Sequence, residues 1–213
     1  MIVRRLLLTC GLLLAVPVQA QSSADAERAA EQRIDAIVRD FDRRGLPTDL
    51  LKAKVAEGTA KGATPTRIAD AVALLASRVD SVARLLAPAV TTPELHAGAE
   101  ALSVGVSAPS LRTLRSAAGR RSAEPYFLFV VRLMRRGVTQ EQAVRAARAL
   151  IDRQAAPNTL LALADDLARD VAAGVAPDAA LNDRMTRLVG GFGGVNSAGI
   201  GNANGLSSTG SKP

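Results

Sequence analysis

Residues 135–150 read RRGVTQEQAVRAARAL, and residues 172–188 read AAGVAPDAALNDRMTRL. Each passes from a Gly-Val pair, Gly137-Val138 or Gly174-Val175, into a stretch with apolar residues three and four apart. That spacing lays one apolar stripe along a helix, and the glycine marks where the preceding helix stops. The two Gly-Val pairs lie 37 residues apart. Such a period suits a helical-hairpin repeat array, and a plain irregular bundle fits it nearly as well. Working outward, helix starts recur in one pattern, with a turn residue, then Ser or Thr, then often Pro. Thr64-Pro65, Thr92-Pro93, Ser107-Ala108-Pro109 and Pro157-Asn158 are of this kind. The hydroxyls accept from free amides of the first turn, and Pro is tolerated there because its missing N–H had no intrahelical partner. Thr139-Gln140-Glu141-Gln142 has the spacing of a capping box. Nothing alternates with period two for long, so the chain reads as all-α.

These signals predict helices over 23–44, 48–61, 65–86, 93–103, 108–119, 123–136, 140–154, 158–173 and 178–189. Short connections make neighbours antiparallel hairpins. The helix over 123–136 is apolar around most of its circumference, through Tyr126, Phe127, Phe129, Val130, Val131, Leu133 and Met134. It belongs at the centre of the core, or at an oligomer interface rimmed by Arg132, Arg135 and Arg136.

The first twenty residues follow another plan. Met1 to Arg5 is a short basic head, Leu6 to Val18 is an apolar run, and Ala20 offers a small residue at a cleavage point. This is the layout of a secretory signal peptide over 1–20, with an apolar stretch shorter than the roughly 20 residues a bilayer requires. The expected mature chain begins at Gln21, in the periplasm or outside the cell. Its helical domain spans 21–189. From Gly190 the chain turns to Gly, Asn and Ser with scattered apolar residues, and 190–213 reads as a flexible, disordered tail.

Composition narrows the chemistry. Cys10, the one cysteine, lies inside the expected leader, so the mature chain has no thiol for a disulfide or a thiolate site. There is one histidine, His96, and no tryptophan. No phosphate loop, nucleophile elbow or metal-ligand pair is present, and no cofactor is implied. The chain carries a net +7, which becomes +5 without Arg4 and Arg5. Residues 107–153 alone hold ten arginines against Glu124, Glu141 and Asp152. Arg120, Arg121, Arg132, Arg135 and Arg136 form the densest part of this region. Its expected partner is an anionic envelope component, a lipid headgroup or polysaccharide, or another envelope protein. Few aromatics accompany these arginines, which argues against nucleic-acid binding by base stacking. The oligomeric state is not legible.

A second cluster lies in residues 45–72, GLPTDLLKAKVAEGTAKGATPTRIADAV. Lys54, Glu57 and Lys61 share one helix face at i, i+3 and i+7, Gly58 removes a side chain beside them, and Arg67 opens the next helix. The plain reading is a solvated face of ordinary ion pairs, with Gly58 a close crossing point of two helices. The functional reading is a charged pocket around Glu57. The string Gly45-Leu46-Pro47, Leu51, Lys54, Glu57-Gly58, Lys61-Gly62, Arg67-Ile68 resembles a motif of uncharacterised, secreted, Ala-rich bacterial helical proteins. The resemblance covers about 25 residues and implies no activity. The sequence thus points to an exported, non-catalytic binding or scaffold module acting through its basic surface. The rivals are an envelope enzyme using Glu57 with Lys54 or Lys61, and a holdase-like periplasmic chaperone.

Overall fold

A computed structural model describes residues 18–193, with side chains described for 24–188. Among these residues every regular element is a helix: α1 (Val18–Arg43), α2 (Asp49–Ala60), α3 (Pro65–Leu86), α4 (Thr92–Ser103), α5 (Ala108–Ala118), α6 (Glu124–Arg135), α7 (Gln140–Asp152), α8 (Pro157–Ala172) and α9 (Pro177–Gly193). Each expected helix is present, and most ends agree within a residue or two. Of the expected leader, residues 18–20 open α1 and residues 1–17 lie outside the described residues. Of the expected tail, residues 190–193 continue α9, since an existing helix adds one hydrogen bond per residue, and 194–213 lie outside the described residues. No described helix is long and apolar enough to cross a membrane.

The chain divides into two compact units within α3, after Ser77. In the first, Phe41, Leu51, Ile68 and Val72 are buried, and Arg44 lies 5.1 Å over the Phe41 ring. Gly58 of α2 faces Ile68 of α3 so closely that a Cβ there would stand 2.7 Å from Ile68 Cγ1. The two helices cross at Gly58, as its place in the sequence suggested. The α2–α3 turn closes on positive-φ Gly62, with the Ala63 amide donating to the Gly58 carbonyl at 3.0 Å.

The second unit is built around α6, which packs against α4, α7 and α8 and also meets α5. Phe127, Val130 and Leu133 on this helix are fully buried, with Tyr126, Phe129 and Val131 nearly so. The contacts follow a rule: α4 packs on α6 and α6 on α8, while α5 packs on α7 and α7 on α9. Alternate helices therefore form two layers, the arrangement of a short helical-repeat array. The repeat is more regular than the two quoted strings suggest, because Gly105-Val106-Ser107 closes α4 in the same manner. Val106, Val138 and Val175 each donate a backbone N–H to a carbonyl five residues back, closing α4, α6 and α8.

Side chains clip same-layer helices together at their starts. Glu94 of α4 accepts from the Ala123 amide ahead of α6, at 2.8 Å. Gln140 of α7 accepts from the Ser107 amide ahead of α5, at 2.8 Å. Asp178 of α9 accepts from the Thr139 amide ahead of α7, at 3.0 Å. Alternate helices thus begin side by side and run parallel, which makes consecutive ones antiparallel. The third clip replaces the capping box expected at Thr139. Its hydroxyl makes no cap within α7 and instead lies 3.4 Å from Asp178. A carboxylate from another helix takes the role assigned to the local hydroxyl, and its charge also suits a helix N-terminus.

Candidate functional site

The face of α2 forms as its spacing implies. Lys54 Nζ lies 2.8 Å from Glu57 Oε2, and Lys61 bonds the other carboxylate oxygen. Hydrogen bonds from Lys54 and then Lys61 pull the Glu57 carboxyl down to about 2. A carboxyl so low is ionised throughout the physiological range and is a poor proton donor and a weak base. Glu57 is also open to solvent, with its side chain 43% exposed. Arg67 does not join the group. It is exposed and makes no ion pair among the described residues, because its neighbour Ile68 takes the face turned to α2. The geometry is that of a solvated face beside a helix crossing.

The five arginines of the basic region divide into two sets. Arg120 and Arg121 sit in the turn before α6, and Arg132, Arg135 and Arg136 at its other end, roughly 15 Å away at 1.5 Å per residue. Arg121 donates Nη2 to the Ile151 carbonyl at the end of α7, 3.1 Å away, so it serves as a helix cap. Elsewhere in the segment, Arg145 pairs with Glu141 and Arg148 with Asp152. The surplus is therefore smaller in space than in sequence. Arg132, Arg135 and Arg136 share one face of α6, at i, i+3 and i+4. Arg135 pairs with Glu100 of α4 at 2.8 Å. Arg132 and Arg136 are exposed and make no ion pair among the described residues.

These three arginines line a cavity of about 310 Å³ together with Ala164, Asp165 and Ala168 of α8. Asp165 contributes the one carboxylate of that lining and lowers its positive potential. Arg132 also borders a second cavity, of about 500 Å³, formed by Ser122, Glu124, Pro125, Leu128, Phe129, Pro157, Leu160 and Leu161. The two cavities adjoin at Arg132 along α6 and α8, the larger one mainly apolar and toward the helix starts, the smaller one basic and toward the end of α6.

Some carboxylates of α1 and α8 are held by arginines. Arg184 grips Asp170 through two 2.8 Å bonds and reaches Asp166 at 3.0 Å, holding the Asp170 carboxyl below its ordinary range. Asp40 meets Arg43 and Arg44. No group of three or more His, Cys, Asp or Glu placed to hold a metal occurs among the described residues. His96 Nε2 is buried and finds no hydrogen-bond partner among them.

One cluster was not foreseen. Glu94 is 1% exposed, the buried charge of the second unit's core. It completes a capping box with Thr91, and its other oxygen holds Ala123. Arg115 of α5 approaches at 3.4 Å while donating to the Gly119 and Ala89 carbonyls. Burial by itself raises the Glu94 pKa. The Ala123 and Thr91 amides, with Arg115, outweigh that and leave it lowered. Thr91-x-x-Glu94 carried the capping signal, but nothing local says that α6 begins against the same carboxylate.

Comparison with protein-family models, curated proteins and solved structures finds no match for this chain, and the functional reading rests on its own geometry.

Proposed function

We propose that the protein is an exported, non-catalytic binding module that meets an anionic partner of the cell envelope through the end of α6. One observation carries this reading: Arg132 and Arg136 stand a helical turn apart, exposed and without a counter-ion among the described residues, at the mouth of a groove. Arg132 and Arg136 outweigh the single Asp165 carboxylate beside them, attract anions over about 8 Å at physiological salt, and present planar forks that match carboxylate or phosphate oxygens. A lipid headgroup or acidic polysaccharide presents such oxygens. Glu57 supports no rival of equal weight, since two lysines hold it ionised on an open surface. The reading is tested by co-sedimentation with anionic and zwitterionic vesicles. The wild-type chain is expected to pellet with the anionic ones alone, and Arg132→Gln, Arg135→Gln and Arg136→Gln together to leave it in the supernatant. Equal pelleting by the triple variant would place binding elsewhere.

A further inference from the structure

We infer that the α6–α8 groove is a site for a single-chain anionic amphiphile, a fatty-acid-like molecule with its acyl chain in the apolar cavity and its head at Arg132 and Arg136. The inference deepens the anion-binding reading above and rests on it.

The groove lies where the repeat is interrupted. Glu94, Gln140 and Asp178 clip α4 to α6, α5 to α7 and α7 to α9 at their starts. The start of α8 has no such clip: Ala156 precedes it, and no side chain caps it. The larger cavity reaches the starts of both helices, through Ser122 and Pro157. Its floor includes Phe129 and Leu160, each 2% exposed, and its wall includes Leu161, 41% exposed. A large aliphatic side chain this open, beside a cavity of about 500 Å³, offers apolar surface in a volume typical of small-ligand sites.

Charge then selects the occupant. Arg132 borders both cavities, so an acyl chain over Leu128 and Leu161 ends at Arg132 and Arg136. Glu124 borders the opposite end and repels an anionic head there, whereas Asp165 at the basic end is outnumbered by Arg132, Arg135 and Arg136, which sets the orientation. A neutral lipid would leave the arginines unanswered, and a short anion would leave the apolar wall in water.

Calorimetric titration of the purified chain with hexanoate, decanoate and dodecanoate, each below its micelle threshold, tests the inference beside a parallel heparin titration. Each added methylene that the groove buries is expected to tighten binding about fourfold. The double change Leu128→Gln and Leu161→Gln keeps every charge. It is expected to weaken dodecanoate at least tenfold and to leave heparin binding unaltered, with an unchanged circular dichroism spectrum. Arg132→Gln with Arg136→Gln is expected to weaken both. Affinity independent of chain length, or unaffected by the leucine changes, overturns the groove site while leaving the arginine reading intact. Loss of heparin binding by the wild type overturns that reading itself. A dimer in analytical ultracentrifugation that the leucine changes dissolve would make the groove a contact between copies, and the inference would fail.

Discussion

Replacing Glu94 with glutamine probes the joint between α4, α5 and α6. The carboxylate accepts from the Ala123 amide at 2.8 Å, the Thr91 amide at 3.0 Å and the Thr91 hydroxyl at 3.2 Å, in a site 1% exposed. Glutamine has one oxygen. However the amide sits, its NH₂ faces either the buried Ala123 N–H or the part-buried Thr91 N–H, and one of them loses its acceptor. That costs about 1–3 kcal/mol. Arg115 also loses its counter-charge. Breaking a fully buried pair costs about 3–5 kcal/mol, but the Arg115 side chain is 23% exposed and water recovers part of the loss. A total near 3 kcal/mol is expected, which lowers the melting temperature by about 10 °C in a chain of this size. The effect also depends on pH. The folded pKa of Glu94 lies below its unfolded value of 4.5. Its contribution is therefore fully present above 4.5 and is lost as pH falls through the folded value. The gap between wild type and Glu94→Gln should be widest at neutral pH and narrow as pH falls through the lowered folded value. Thermal unfolding followed by circular dichroism reads both. A variant melting within about 2 °C of wild type at neutral pH would refute the reasoning.

Other outcomes follow from the same physics. Gly58→Leu is expected to destabilise by about 1–3 kcal/mol in denaturant titration, because Ile68 already stands where the new side chain must go. Glu57→Gln should shift the melting temperature by no more than a degree or two, since its partners are open to solvent. If the chain is exported, N-terminal sequencing of the extracytoplasmic protein is expected to begin at Gln21, and intact Met1 on cytosolic protein would count against that.

The helices were legible because their limits are local. Thr64-Pro65 opens α3, which runs over the expected Pro65–Leu86. The apolar circumference of α6 foretold its burial. Gly58 announced a close crossing before any neighbour was known, and Ile68 supplied it. What stayed hidden depends on residues far apart in sequence. Glu94 has no mark of a core carboxylate in the sequence and becomes one only when Ala123, 29 residues on, arrives beside it. Thr139 reads as a cap and yields to Asp178, 39 residues on. Arg67 looked near Glu57 along the chain, but rotation about α3 gives the inner position to Ile68. The arginine cluster looked continuous until Arg121 was drawn to the Ile151 carbonyl and Arg135 to Glu100. A groove between α6 and α8 has no signature in either helix alone.

The central claim is that the unpaired arginines at the end of α6 bind anions. The most direct measurement is the salt dependence of heparin affinity for the wild-type chain and for Arg132→Gln, Arg135→Gln and Arg136→Gln combined. The expected result is wild-type affinity that falls steeply from low to physiological salt, as the Debye length shortens to about 8 Å, and a triple variant whose weak residual binding barely changes. Wild-type affinity that is the same at both salts, or a triple variant that keeps the wild-type slope, would contradict it.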